Sequence, residues 1–171
     1  MAAPPEVWLR GPIPGVPESV QPVAHALLQS LEDVAAAAAG LPTAQLWLQP
    51  GGAASVGFHL LHLAGSTDRL FTYARGEALT DEQRQQLERE RAPQPASSDA
   101  LVAAYRGVIE GAVVQLRRTP PGTLPRRRAV GRARLPSTVR GLLFHAAEHA
   151  QRHTGQVVTT ARIVRGLGLG G

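Results

Sequence analysis

The stretch Leu142-Leu143-Phe144-His145-Ala146-Ala147-Glu148-His149-Ala150-Gln151-Arg152-His153-Thr154-Gly155-Gln156 decides how this chain is read. Its three histidines, His145, His149 and His153, recur at intervals of four. On an α-helix a four-residue step returns to nearly the same face, one turn on, so the imidazoles form a ladder along one stripe. Val139, Leu142, Leu143, Ala146, Ala150, Val157, Val158 and Ala161 supply an apolar face to the same segment, which predicts a helix running from just after Pro136 to about residue 165, with Ser137 as its N-cap. A ladder of neutral nitrogen donors on a rigid rod is half of a transition-metal site.

Working outward, the same helical period appears three more times. Val20, Val23, Leu27, Leu31 and Val34 mark a helix over residues 17–39, stopped by Gly40-Leu41-Pro42. Val56, His59, Leu60, Leu63, Leu70 and Phe71 mark a second over 55–75, ended by Gly76. Leu101, Tyr105, Ile109, Ala112 and Leu116 mark a third, from Ser97 or Ser98 to about residue 118. Thr80 caps a short polar helix over 81–91 whose mixed charges read as a solvated face with no site. Four long amphipathic helices pack naturally as an all-α four-helix bundle. Residues 1–16, rich in Pro and Gly, form an irregular lead-in in which Val7 and Leu9 dock on the core. Residues 17–165 form one domain, and residues 166–171 a frayed tail.

Composition bounds the function. The 171 residues are 43% apolar but only 4% aromatic, which favours helix over sheet. There is no cysteine, so disulfides, thiolate ligands and a cysteine nucleophile are excluded, and any thiol chemistry needs a thiol from outside. No apolar run reaches the ~20 residues of a membrane span, and the N-terminus lacks a secretion signal, so a soluble, cytoplasmic protein is expected. All 18 basic residues are Arg. Five of them, Arg126, Arg127, Arg128, Arg132 and Arg134, fall in a Pro/Gly-punctuated connection over 119–136, with a short extended segment near 129–135. This reads either as a solvated loop or as an anion-binding patch led by Arg126, Arg127 and Arg128. Aromatics for base stacking are absent from it, which argues against a nucleic-acid partner.

A metal site in a bundle core draws on facing helices. The final helix offers the ladder; the second offers His59 and His62, three residues apart on neighbouring faces. Two histidines on one helix with a third from another leave a catalytic metal an open position, while a polar network or an exposed stripe would use the same spacing.

Two motifs carry a resemblance. Val56-Gly57-Phe58-His59-Leu60-Leu61-His62-Leu63-Ala64-Gly65-Ser66 resembles the second-helix signature of DinB/YfiT-like proteins, and the stretch from His145 to Gln156 resembles their final-helix motif. The resemblance implies an up-down-down-up four-helix bundle that binds a divalent metal, commonly nickel or zinc, through three histidines: His62, His149 and His153. In the family the position of His145 often carries His without its being a ligand, which makes it a neighbour that lines the pocket or orients a bound group. On helix geometry His59, on the adjacent face, plays a similar part or packs, and Gln156, near the ladder direction, is placed to hydrogen-bond a bound group. His145 and His153 are about 12 Å apart along the axis, too far to share one ion. Arg152 and Thr154 depart from the family pattern, which often has His and Arg there. The activity implied is a transferase using a low-molecular-weight thiol on a small-molecule electrophile, with a metal-dependent hydrolase or a non-catalytic, stress-related binding module as alternatives. Arginines of the 126–134 connection would hold an anionic part of the thiol or substrate, and a homodimer is the expected assembly.

Overall fold

The computed structural model describes residues 4–167 and is mostly helical. The helices are α1 (Gln21–Ala38), α2 (Thr43–Leu46), α3 (Val56–Arg75), α4 (Asp81–Arg89), α5 (Ser98–Arg117) and α6 (Val139–Gly166). Side-chain caps set several of the boundaries. Ser55, Ser97 and Thr138 each accept a hydrogen bond from a backbone N–H of the first turn they precede, an interaction that stabilises by about 1 kcal/mol apiece. At the far end of α3, Gly76 adopts φ 87°, the left-handed conformation that ends a helix without a Cβ clash.

The four long helices share one core. α6 packs against α1 and α3, and α5 packs against the same two. Leu27, Val34, Leu60, Leu63, Tyr105, Ile109, Leu143 and Val157 are fully buried there. Each large apolar side chain so buried contributes about 1.5–3 kcal/mol before entropic losses. Polar ties set the helices in register. The Ser30 hydroxyl lies 2.8 Å from the Tyr105 hydroxyl and 2.6 Å from that of Thr154, which itself donates to the Ala150 carbonyl. Gln151 donates to the Ala26 carbonyl and Arg165 to that of Ala39, while Gln115 donates to Phe71 and Ser98 to Leu41.

Three sequence expectations are corrected. The chain is not purely α: β1 (Arg127–Val130) and β2 (Leu135–Thr138) form an antiparallel hairpin, Arg127 opposite Thr138 and Val130 opposite Leu135. Each strand is four residues long and half exposed, too short to show an alternating pattern. Thr138, not Ser137, caps α6, because β2 continues through Ser137 before the helix begins. In the lead-in Val7 docks at 4% exposure, but Leu9 stays 57% exposed: a 3-10 turn over Val7–Arg10 turns the two apart. Gly166 closes α6, and the rest of the expected tail, residues 168–171, lies outside the described residues. The single turn of α2, with Leu46 fully buried, has no counterpart in the sequence reading.

Candidate metal centre

Where α3 crosses α6, one histidine of the first meets two of the second. A nitrogen of each of His62, His149 and His153 lies within 4.8 Å of the others. Nε2 of His62 faces Nε2 of His149 at 2.9 Å. His59, one turn before His62, is buried at 5% exposure and puts its Nδ1 2.9 Å from Nδ1 of His153. Phe58 stacks nearly parallel on the His62 ring, with centroids 5.4 Å apart. Four imidazoles are therefore packed at steep angles to one another, with an aromatic wall against one of them.

The environment favours the neutral form of three of these rings, His59, His149 and His153. Burial, reinforced by the neighbouring His62, pushes His59 from 6.5 down to about 4. Burial again, with His62 and other basic neighbours, lowers His149 to about 4 and His153 to about 3. A neutral imidazole keeps one lone pair free to bind an electrophilic centre.

The orientation of His62 comes from a residue that the sequence reading passed over. Glu90, immediately after α4 and 2% exposed, accepts from Nδ1–H of His62 at 2.8 Å through one carboxylate oxygen. Its other oxygen accepts from Nη1 of Arg69 at 2.5 Å. With its proton held at Nδ1, His62 presents the Nε2 lone pair to His149. Carboxylates of this kind fix the tautomer and ring orientation of metal-binding histidines. Gly65 makes the approach possible: a Cβ there would lie 2.2 Å from the Glu90 oxygen and 2.7 Å from the Arg69 nitrogen. α4 itself is held by polar contacts. Thr80 and Gln83 form a capping box, and the Gln83 amide donates to Asp68 and Thr72 of α3. A helix anchored in this way looks solvated in sequence, although Glu90 is buried. The available signal was the spacing His62, Gly65, Arg69 along one side of α3, a cation on a buried surface with a gap beside it.

The donor set fits a divalent ion. Three imidazole nitrogens converge, a carboxylate backs one of them, and Nδ1 of His149 is buried with no hydrogen-bond partner among the described residues. Two facing lone-pair atoms at 2.9 Å are tolerable only with a proton or a cation between them.

The other residues singled out from sequence lie elsewhere. His145 is half exposed and 3.2 Å from Glu148, outside the converging group. Gln156 is exposed and makes no side-chain hydrogen bond among the described residues. Glu148 pairs with Arg152, which holds its carboxyl below the usual range. Thr154, one of the two departures from the family motif, is a buried packing position tied to α1 through Ser30; Arg152, the other, points to solvent. Arg127 and Arg128 sit on the hairpin, which joins α6 at its start, about 15 Å along the axis from His149. The chain does not bring them to the histidines. Arg126 is exposed and outside the cleft that Arg127 and Arg128 line.

Fold and site together define a class: a mostly helical protein with three histidines grouped so that they could bind a divalent metal. A family model of the DinB superfamily matches residues 26–157, a span that holds α3, α5, both candidate ligand segments and Glu90. The chain belongs to the DinB superfamily. No curated protein matches it in sequence.

Proposed function

We propose that this protein is a thiol S-transferase of the DinB/YfiT-like type, with His62, His149 and His153 holding one divalent ion, nickel or zinc. The carrying observation is the convergence of three nitrogens within 4.8 Å, with Glu90 backing His62. A divalent ion held there supplies Lewis acidity, lowering the pKa of a low-molecular-weight thiol such as bacillithiol or mycothiol for attack on a small electrophile.

The chain's own groups favour a thiol over water as the nucleophile. A free thiol loses its proton near pH 8.5, far more readily than water. The carboxylate at the cluster, Glu90, has both oxygens engaged, by His62 and Arg69, and is not free to accept a proton. Glu148 is half-buried and paired with Arg152. A hydrolase at the same site would lack a free carboxylate base, so it is the second reading. His59 holds His153 through the Nδ1 contact, and Phe58 covers one face of His62. The absence of cysteine is consistent with a thiol that arrives as cosubstrate.

The same reading takes residues 17–165 as one four-helix unit with an up-down-down-up course. Contacts that pair Ala26 with Gln151 and Ala39 with Arg165, Phe71 with Gln115, and Leu41 with Ser98 support that course. A cytoplasmic homodimer is part of the proposal; no helix among the described residues is long and apolar enough to cross a membrane.

Elemental analysis of the purified protein tests the site: about one divalent ion per chain is expected, and His149→Ala should remove it. Full retention in that variant would sink the ligand assignment. Screening several thiols with electrophiles, with and without metal, then tests the activity. Full occupancy without turnover on any of them would leave a binding module instead.

A further inference from the structure

At the opposite end of α3 lies a cleft of about 730 Å³, within the range of small-molecule sites. Five arginines line it, and four of them, Arg127, Arg128, Arg132 and Arg134, have no carboxylate partner among the described residues. The fifth, Arg84, and the lining Glu77 are already paired, with Asp81 and Arg75 respectively, which leaves Glu88 as the one lining acid with no ion pair among the described residues. The cleft therefore holds a clear excess of positive charge. Tyr73, Leu79 and Leu87 supply an apolar wall, and Leu87 is 46% exposed on an otherwise polar helix.

Two features show a built site. Arg128 is pinned: its Nε donates to the Ala74 carbonyl at 2.8 Å and its Nη1 to that of Arg127 at 2.9 Å. It packs closely over Gly76, where a Cβ would stand 3.3 Å from the Arg128 Nε. Arg134 adopts φ 49°, a left-handed conformation unusual for a residue with a long side chain. The hairpin loop thus keeps an arginine where glycine or asparagine would fit with less strain.

We propose that this cleft binds a phosphorylated small molecule with an apolar or aromatic body, at a site separate from the histidine cluster. Planar guanidinium forks suit phosphate oxygens, and four of them exceed what a single carboxylate needs. The wall of Tyr73, Leu79 and Leu87 takes the rest of the ligand.

Calorimetric titration of the full chain, as purified, with inorganic phosphate and with phenyl phosphate at low salt tests this. Expected is one saturable site that binds phenyl phosphate at least about tenfold more tightly than phosphate. The exposed substitutions Arg127→Gln, Arg132→Gln and Arg134→Gln together should weaken both ligands by at least about tenfold, with melting temperature and metal content unchanged. Leu87→Ser should erase the advantage of the phenyl group alone. No saturable binding, or equal binding by the triple variant, overturns the proposal. Duplex DNA that displaces phenyl phosphate with an affinity growing with its length also overturns it, in favour of a nucleic-acid surface. Because the triple variant leaves the histidines intact, its failure and that of the metal reading are separate results.

Discussion

Arginine is used in opposite ways inside α3 and just beyond its end. Within the helix, seven residues beyond His62, Arg69 is buried, and its charge is spent inside the protein on Glu90. Beyond its end, Arg127, Arg132 and Arg134 are exposed and form no ion pair among the described residues. A buried pair is costly to desolvate, so it persists where it fixes a geometry, here the orientation of His62. Exposed charge without a partner adds little to the stability of the fold, which leaves it available to a ligand. The contrast separates an arginine that shapes a site from arginines that form one.

Removing one partner of the buried pair should produce the largest effect. Glu90→Ala leaves Arg69 buried without a counter-charge, and breaking such a pair costs about 3–5 kcal/mol. A lower urea midpoint and weaker metal retention are expected together, because His62 also loses its partner at Nδ1. An unchanged midpoint would mean that the Arg69–Glu90 contact carries no structural weight, and the comparison would lose its buried half.

Acid should separate the ends next. His59, His149 and His153 have folded values pushed down to about 4, 4 and 3 from 6.5. Above about pH 6.5 neither folded nor unfolded chain binds these protons, so they do not affect stability. Below it the unfolded chain takes up protons that the folded chain refuses, and the metal-free protein should lose stability steadily towards about pH 4. Protons also compete with a metal for the same nitrogens, so retention falls in the same direction. The hairpin arginines stay charged throughout, so phenyl phosphate binding should fall only as the ligand itself is protonated. Urea midpoints that stay flat between about pH 6.5 and 5 would contradict the depressed histidines.

The same division explains what was legible in the sequence. The long helices were readable because their apolar residues keep a helical period through two or more turns, and the ladder because His149 and His153 share a face. That His62 and not His59 joins them is a matter of helix rotation, which spacing alone leaves open; the motif resemblance pointed to His62. Glu90 was hidden. It follows a helix in which Glu and Arg alternate with Gln, and nothing local distinguishes it from Glu88 two residues earlier. Its role arises from a tertiary contact across a glycine on another helix. The hairpin was only half visible, because its pairing is set by a four-residue loop and not by an apolar pattern.

The smallest effect sharpens the exposed half. If Arg134 is kept for binding, it is kept against the local preference of its backbone at φ 49°. Glycine reaches that region without strain but adds entropy to the unfolded chain, and the two terms largely offset each other. Arg134→Gly should therefore stabilise the fold by no more than about 1 kcal/mol while weakening phenyl phosphate binding. Stability gained with affinity lost is the signature of a residue retained for a ligand. A loss of stability would instead show that the Arg134 side chain holds the hairpin together, and the loop would then belong with Arg69 among the charges that build the fold.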